Sequence, residues 1–229
     1  MDEAISKLNK AIEFKPGEAD MYNVRASVYV ALRKADLALL DFNKAIELKP
    51  TDGDFYFARG SAYANQGNLE MAITDYTKTI QLKPNDMAGY YNRGLVYVMQ
   101  KKPDLALPDF NKSIELKPEI AEPYYSRASI YASKGNYELA ITDYNKTILL
   151  KPKYTAAYYE RANLYGNHGD YELALSDFTK CIELSPKVAN TYYGRAVIYT
   201  RMKKNELAKP DFAMANKLDS RIQIPKGFE

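Results

Sequence analysis

The sequence predicts an all-α protein, a solenoid built from antiparallel helix pairs. The first observation is a Tyr–Arg–Tyr phrase that recurs every 34 residues: YNVRASVYV at 22, YFARGSAYA at 56, YYNRGLVYV at 90, YYSRASIYA at 124, YYERANLYG at 158 and YYGRAVIYT at 192. The second is a proline with the same period, at positions 16, 50, 84, 118, 152 and 186. The third is an apolar spacing near 3.6 residues, without the period-two alternation of strands. A fixed period of this length indicates units that stack on one another.

Each period divides into two predicted helices, as the second full unit illustrates. The apolar pattern predicts helices at about 53–66 and 69–82. Between them Gly67 and Asn68 break the pattern, and we expect Asn68 to be the N-cap of the second helix. Pro84 ends that helix because proline cannot donate a main-chain hydrogen bond.

The side chains that face each other in this hairpin are matched in size. Residues equidistant from the turn of an antiparallel pair lie opposite one another, and each pair joins one aromatic to one small residue, which lets the helices approach without a void. The pairs are Tyr56 with Thr79, Gly60 with Tyr76, and Tyr63 with Ala72. Cys181 occupies the position of Thr79 in a later unit, so we interpret it as a small packing residue and not a nucleophile.

An arginine and an aspartate obey the same symmetry in all six units. The pairs are Arg25/Asp41, Arg59/Asp75, Arg93/Asp109, Arg127/Asp143, Arg161/Asp177 and Arg195/Asp211. The opening helix, which has no first helix of its own, carries Lys7 where the aspartate would stand. We therefore predict a salt bridge inside each hairpin, and this leaves little reason to interpret the arginines as a phosphate-binding ladder.

These residues together resemble the tetratricopeptide repeat family. The chain departs from it by using Tyr where Trp is usual at the head of the first helix, and Arg where Leu is usual. The resemblance divides the sequence into an N-terminal half repeat at 1–18 that holds only a second helix, six tandem repeats, and a C-terminal tail at 223–229. The repeats are 19–52, 53–86, 87–120, 121–154, 155–188 and 189–222. It implies a right-handed superhelical α-solenoid whose first helices line a concave groove.

The two ends of the chain lead to different expectations. In the last repeat Lys209 and Asn216 replace apolar residues on one helix face, which suits a solvated end. The apolar residues at the end of the chain, Ile222, Ile224 and Phe228, either fold back over that end or occupy a neighbour's groove. The N-terminal end starts on a second helix, so we expect either missing upstream residues or another chain to cover it.

Two prolines and three basic turns interrupt the pattern. Pro108 and Pro210 fall about six residues inside second helices, where we expect kinks or a helix start delayed by one turn. The basic pairs replace the Gly-Asn or Gly-Asp turn and are interpreted as solvated turns: Arg33-Lys34, Lys101-Lys102 and Lys203-Lys204.

Composition argues against several classes of function. The formal net charge of +3 gives no case for nucleic acid, and no apolar run is long enough to span a membrane. One cysteine and one histidine leave few ligands for a metal, and no cofactor motif is present. His168 stands alone in a helix turn without a catalytic set around it, so we predict no enzyme activity. We expect a cytoplasmic protein whose single cysteine is reduced.

The resemblance places a candidate peptide-binding site in the groove. The residue after each leading tyrosine would point away from the hairpin core and into the groove, giving an aromatic column flanked by small polar side chains. The column is Asn23, Phe57, Tyr91, Tyr125, Tyr159 and Tyr193, and its flanking residues include Ser61, Asn92, Ser129 and Asn163. The alternative is that the rings merely pack against neighbouring first helices.

Charges at the groove edge suggest a polarised ligand. Acidic residues gather in the early repeats and basic ones in the late repeats: Asp20, Asp52, Asp54 and Asp86, against Lys153, Lys187 and Arg201. We hypothesise a segment whose basic part meets the early repeats. The alternative is that the acidic residues only complement the dipoles of helix N-termini.

The sequence thus predicts a non-catalytic scaffold that binds a protein or peptide segment. The basic clamp by which related chaperone adaptors hold a C-terminal carboxylate is largely missing, since Asn23, Ser27, Ala88 and Asn92 stand at its positions. The asparagine ladder of the sugar-transferase repeats is also missing. The alternative function is a homo-oligomer, a structural protein that stacks through its N-terminal end.

Overall fold

The computed structural model describes residues 2–228, so the first residue of the predicted half repeat and the last of the predicted tail lie outside it. The residues in this range form thirteen α-helices and no strand. The chain divides into two compact units, Met1–Pro118 and Glu119–Glu229, each of which is a stack of helices. The all-α fold class is therefore confirmed.

The first unit contains one single helix and three hairpins. Its helices are α1 (Asp2–Phe14), α2 (Ala19–Ala31), α3 (Ala35–Leu48), α4 (Gly53–Asn65), α5 (Leu69–Leu82), α6 (Met87–Met99) and α7 (Pro103–Leu116). Helices α2 and α3, α4 and α5, and α6 and α7 form the hairpins, and the first helices α2, α4 and α6 also touch in succession. The expected helices at about 53–66 and 69–82 are confirmed.

The second unit contains three further hairpins. Its helices are α8 (Ala121–Ser133), α9 (Tyr137–Leu150), α10 (Thr155–His168), α11 (Tyr171–Leu184), α12 (Ala189–Arg201) and α13 (Asn205–Leu218). The first helices α8, α10 and α12 contact one another in order, and each packs on its own second helix. One face of this unit is therefore lined by three neighbouring first helices, which we call its first-helix face.

Size matching holds the helices of each hairpin together. A methyl group built on Gly60 would lie 3.2 Å from the Tyr76 ring, and one built on Gly94 would lie 2.8 Å from the Phe110 ring. The aromatic rings fill the space that these glycines leave, and Tyr76 and Phe110 are almost fully buried. Close packing of ring against backbone is the reason for a glycine here.

The hairpin turns require a left-handed backbone residue. Gly67 has φ of 78°, whereas Lys101 has φ of 58° in the same role. The amide of the next residue reaches back to the helix end, as Asn68 N does to the Tyr63 carbonyl at 2.9 Å. Asn68 occupies the N-cap position, as predicted, although its side chain makes no capping hydrogen bond.

Most of the repeat arginines join three helices, not two. In the second repeat Arg59 donates from Nε and Nη2 to the two carboxylate oxygens of Asp75 at 2.8 and 2.7 Å. The predicted bridge is confirmed in every hairpin. Arg59 also donates from Nη1 to Asn43 Oδ1 at 2.6 Å, on the second helix of the preceding repeat. Asp75 is 1% exposed, so the bridge is a buried structural element and not a free anion site.

The loops between repeats are held by the leading tyrosines. Tyr56 donates its hydroxyl hydrogen to the Pro50 carbonyl at 3.2 Å, and Tyr192 does the same to Pro186 at 3.0 Å. The same contact recurs from Tyr22, Tyr90 and Tyr158. The prolines and the tyrosines therefore recur with the same period because these tyrosines bond to the carbonyl of the proline six residues before them.

The two prolines inside second helices do not delay the helix start. Helix α7 begins at Pro103 and α13 at Asn205, each with its proline in the sixth position. Both Pro108 and Pro210 are exposed, so water can reach the carbonyl that lacks its helical donor. The expectation of a kink at these residues stays a prediction.

The tail folds back over the last hairpin. The Phe228 ring packs edge-on against Phe212 with centroids 5.0 Å apart, and Ile224 joins the same cluster. Asn216 donates from Nδ2 to the Ile222 carbonyl at 2.8 Å. The prediction that the tail covers its own end is confirmed for these residues, and the polar replacement at Asn216 serves to bind the tail.

Candidate functional site

In the first unit, the predicted aromatic column leans on the hairpin core. The Phe57 ring contacts Tyr76 at 5.6 Å between centroids, and the Tyr91 ring contacts Phe110 at 5.9 Å. Both rings are half-buried. Each ring thus contacts the second helix of its own hairpin, a contact that the expectation of rings pointing away from the core did not include, and their role as a binding column stays a prediction. Asn23, at the head of the column, has a buried Oδ1 without a hydrogen-bond partner.

The second unit repeats this arrangement. Tyr125 lies 5.9 Å from Tyr144, Tyr159 lies 5.8 Å from Phe178, and Tyr193 lies 5.5 Å from Phe212. Tyr193 is 37% exposed, the largest accessible ring of the three. The outer edges of these rings lie on the first-helix face.

Most of the small polar side chains beside the column are already bonded. Ser61 donates to the Phe57 carbonyl at 2.9 Å and accepts the Tyr76 hydroxyl at 3.1 Å. Ser129 donates to the Tyr125 carbonyl at 3.1 Å and shares a hydrogen bond of 3.3 Å with the Tyr144 hydroxyl. Asn92 donates its amide to the Ala88 carbonyl at 2.9 Å. These groups position the rings, so Asn163 is the most available amide among them.

A cavity of about 250 Å³ opens between α10 and α12 on the first-helix face of the second unit. Four of the predicted site residues line it: Tyr159, Asn163, Tyr193 and Arg201. Asn167, Asn190 and Val197 complete its wall. The cavity thus combines two aromatic edges with several amides, a composition suited to a side chain and the main chain of a bound segment.

Two glycines that the sequence interpretation did not consider for the site also line the cavity. A methyl group at Gly194 would lie 2.6 Å from Phe178 Cζ, so glycine leaves the Phe178 ring uncovered at the cavity floor. Gly166, whose methyl would meet Ile198 at 2.4 Å, lets α12 approach α10 beside it. Glycine on a helix face beside an aromatic is the signal that could have located this cavity.

Arg201 is fixed at the rim of the cavity. Its Nη1 donates to the Gly166 carbonyl at 2.7 Å, at the C-terminal end of α10, where the helix dipole favours a cation. The guanidinium therefore stays beside the amide side chains and does not extend freely into solvent.

The neighbouring gap between α8 and α10 has a different lining. Glu160 and Tyr144 stand 34 residues before Gly194 and Phe178, so a glutamate side chain stands at the repeat position where Gly194 has none. Burial raises the pKa of the Glu160 carboxyl, and no hydrogen bond or ion pair reaches it within residues 2–228. Burial, and then the charge of Glu160, raises the pKa of Tyr125. The pKa of Tyr144 rises to about 12, mainly through burial.

The charges predicted for the groove edge are partly engaged in local structure. Asp52 pairs with Lys49 at 2.7 Å and caps α4 through the Asp54 amide, and the Lys49 contact lowers its pKa. Asp54 pairs with Lys83. Asp86 accepts from the Ala88 amide at the start of α6. Asp20, Lys153 and Lys187 are exposed at helix starts or loops. The alternative of local helix-start stabilisation accounts for Asp52 and Asp86.

Two residues considered for chemistry have structural surroundings. The His168 ring stacks on Tyr137 with centroids 3.9 Å apart, and its Nδ1 lies 3.1 Å from Asp170 Oδ2. His168 therefore has side-chain neighbours, whereas the sequence-based prediction described it as standing alone. The Tyr137 hydroxyl also donates to Asp170, at 2.6 Å. Cys181 is fully buried, and burial raises its pKa to about 12, which confirms it as a packing residue. No group of potential metal ligands clusters in the part of the chain that the structure describes.

Sequence comparison identifies the family. One family model, described as "TPR repeat", matches residues 60–101 and 128–169. Three models described as "Tetratricopeptide repeat" match the chain as well: the first at 88–120 and 155–188, the second at 42–74, and the third at 19–52. Together these matches cover most of the chain, which therefore belongs to the tetratricopeptide repeat family. No curated protein sequence matches it significantly.

Known structures show the same fold. The chain is similar to YrrB, described as a TPR protein with an unusual peptide-binding site, with 24% identity, a TM-score of 0.68, and coverage of 78% of this chain and 92% of YrrB. MamA from Desulfovibrio magneticus RS-1 gives 24% identity and a TM-score of 0.68, with coverage of 74% and 96%. PilF of Pseudomonas aeruginosa gives 16% identity and a TM-score of 0.77, with coverage of 89% and 92%. Among residues 2–228, no helix has the length and apolar character of a membrane span.

Proposed function

We propose that the chain is a protein-interaction scaffold that binds an extended peptide segment on its first-helix face and acts through binding alone. The observation that carries the proposal is the cavity between α10 and α12, where Tyr159, Asn163 and Tyr193 meet. An aromatic-walled cavity can receive an apolar side chain, while Asn163 can bond the peptide main chain on either its donor or its acceptor side. The description of YrrB as a peptide-binding TPR protein supports the same interpretation.

The absence of catalysis stays part of the proposal. Each repeat aspartate is bound to its arginine, the thiol of Cys181 is buried, and His168 stacks on a tyrosine. These groups have structural partners that account for them. A cytoplasmic location also stays a prediction.

Selection from a phage-displayed library of random peptides tests the binding proposal. The intact chain should enrich a defined set of peptides, whose affinities are then measured by isothermal titration calorimetry. Tyr193→Ala should weaken the best peptide about tenfold or more, because an aromatic edge at a binding site typically contributes on the order of 1–3 kcal/mol. Asn163→Ala should weaken it by a smaller factor, through loss of one or two hydrogen bonds.

Met214→Ala is the matched control. Met214 is 37% exposed, as Tyr193 is, but it lies on the second helix α13 and away from the cavity. The control should bind as the unmodified chain does. Failure to enrich any peptide, or equal loss of binding in both variants, would contradict the proposal.

Self-assembly through the N-terminal end is the second hypothesis. Phe14 at the end of α1 is 84% exposed, an unusual position for a phenylalanine. The tail packs on Phe212 in the last hairpin, so we propose the N-terminal end as the surface for such assembly. Light scattering across a concentration series checks this, since a monomer at all concentrations excludes it.

A further inference from the structure

We propose that Glu160, with the rings of Tyr125 and Tyr144, forms a binding site for a lysine or arginine side chain of the bound segment. This inference rests on the proposed function and names the chemistry of its ligand. The site lies in the gap between α8 and α10, next to the cavity between α10 and α12.

The first argument is that the Glu160 carboxylate lacks a partner. It is partly buried between tyrosines, and within the described range no cation, hydroxyl or amide is bonded to it. A carboxylate that is partly shielded from water in this way loses part of its hydration, and a charge or hydrogen bond would compensate that loss. A cationic group from outside would supply both.

The second argument is that the charge is particular to this position. The equivalent residue in the other five repeats is uncharged: Val24, Ala58, Asn92, Ser126 and Gly194. The fold therefore tolerates apolar, polar and absent side chains here, and a half-buried carboxylate is not needed for packing. A charge that packing does not require and that burial disfavours indicates a binding role.

The third argument is the surrounding aromatic surface. The Tyr125 ring lies 5.9 Å from Tyr144 and 5.0 Å from Tyr154, so three rings meet around one side of the gap. Aromatic faces attract ammonium and guanidinium groups, and the effect adds to a carboxylate charge. Tyrosine rings also pack along the methylene stem of lysine or arginine.

The geometry predicts a spacing in the ligand. The two gaps are separated by one helix, α10, and packed helix axes are about 8–10 Å apart. An extended peptide spans that distance in about three residues. We therefore expect a lysine or arginine about three positions away from an apolar residue that enters the cavity.

The pH dependence follows from the same carboxyl. The titratable groups beside it are Tyr125 and Tyr144, whose pKa values are raised mainly by burial, so they stay neutral near pH 7. Burial raises the pKa of Glu160, so protonation begins above the usual range of a glutamate. Binding of a basic peptide should weaken as the pH falls through this raised pKa, and a neutral peptide should be insensitive.

Parallel selections with three forms of the chain test the inference. The unmodified chain, Glu160→Gln and Glu183→Gln are each used against the same random-peptide phage library. Glu183 is the matched control because it lies on α11, is exposed and pairs with Lys180. We expect the unmodified chain and Glu183→Gln to enrich lysine or arginine about three positions from an apolar residue. For a selected peptide, Glu160→Gln should raise the Kd about five- to tenfold, and replacing the peptide's basic residue by Gln should remove that difference.

The outcomes separate this inference from the proposed function. If no peptide is enriched, the proposed function fails. If peptides are enriched without a basic residue, or if Glu160→Gln binds basic peptides as well as Glu183→Gln does, peptide binding stands and the Glu160 site is wrong.

A stability measurement shows that Glu160→Gln still folds. Because the folded-state pKa of Glu160 is raised, this carboxyl favours the folded state only when protonated, and that contribution is lost as the pH rises through the folded pKa. At pH 7 the glutamine variant should therefore have a higher urea midpoint than the unmodified chain, and the difference should shrink near pH 4. A lower midpoint at pH 7 would contradict the buried-carboxylate argument.

Discussion

The buried Arg59–Asp75 bridge makes a sharp prediction about stability. In Asp75→Ala the guanidinium loses two charge-assisted hydrogen bonds, of 2.8 and 2.7 Å, and keeps only the bond to Asn43. Breaking a buried ion pair by removing one partner costs about 3–5 kcal/mol. The Arg59 side chain remains 17% exposed and can recover some hydration, so we expect a loss of about 2–3 kcal/mol in the free energy of unfolding. Urea denaturation followed by circular dichroism measures it.

Glu47→Ala is the control for this prediction. Its carboxylate pairs with Lys44 at 2.9 Å, a comparable distance, but it is 69% exposed. We expect a change below about 0.5 kcal/mol. The double variant Arg59→Leu/Asp75→Leu should be more stable than Asp75→Ala, because it leaves no unpaired charge. Equal midpoints for Asp75→Ala and Glu47→Ala would refute the reasoning from burial.

Three further predictions test the packing. Gly94→Ala should lower the free energy of unfolding by about 1–3 kcal/mol, because its methyl would lie 2.8 Å from Phe110, whereas Gly17→Ala, with no atom within 4 Å, should be neutral or slightly stabilising. Cys181 should react with iodoacetamide more than about a hundredfold faster in urea than in the folded protein at pH 7.5, since the buried thiol has a pKa of about 12; similar rates in both would show that the site opens readily. Phe228→Ala should cost about 2 kcal/mol and increase hydrogen exchange in the last hairpin alone, and an unchanged exchange pattern would mean that the tail does not cover it.

Much of the fold could be predicted because the repeat supplies six copies of each observation. One glycine opposite one tyrosine is weak evidence. The same pairing of a small residue with an aromatic residue in every repeat, always equidistant from the turn, predicts a hairpin. The Arg59–Asp75 bridge was predictable for this reason, since both residues are equidistant from the turn. Its third contact, to Asn43, was not, because pairing symmetry within one hairpin carries no information about the preceding repeat.

The site was less predictable because side-chain direction depends on packing and not on position alone. The sequence places Tyr91 on the outer face of its helix, yet the ring leans inward because Phe110 offers it an aromatic surface 5.9 Å away. Ser61 is polar and suits a ligand contact, but its hydroxyl is taken by a buried tyrosine. Glu160 was missed because the candidate site was built from residue types that recur in several repeats, and Glu160 is the one charged residue at its repeat position.

The contacts of the arginines have a consequence for the length of the array. Each arginine finds its aspartate 16 residues later, and in most repeats a polar partner 16 residues earlier, as Arg161 does with Asp177 and Asn145. A duplicated or deleted block of 34 residues would bring every arginine an equivalent partner on both sides. Insertion or deletion of whole 34-residue repeats therefore keeps the arginine hydrogen bonds between neighbouring repeats. The number of repeats can change during evolution while the bonding scheme stays the same.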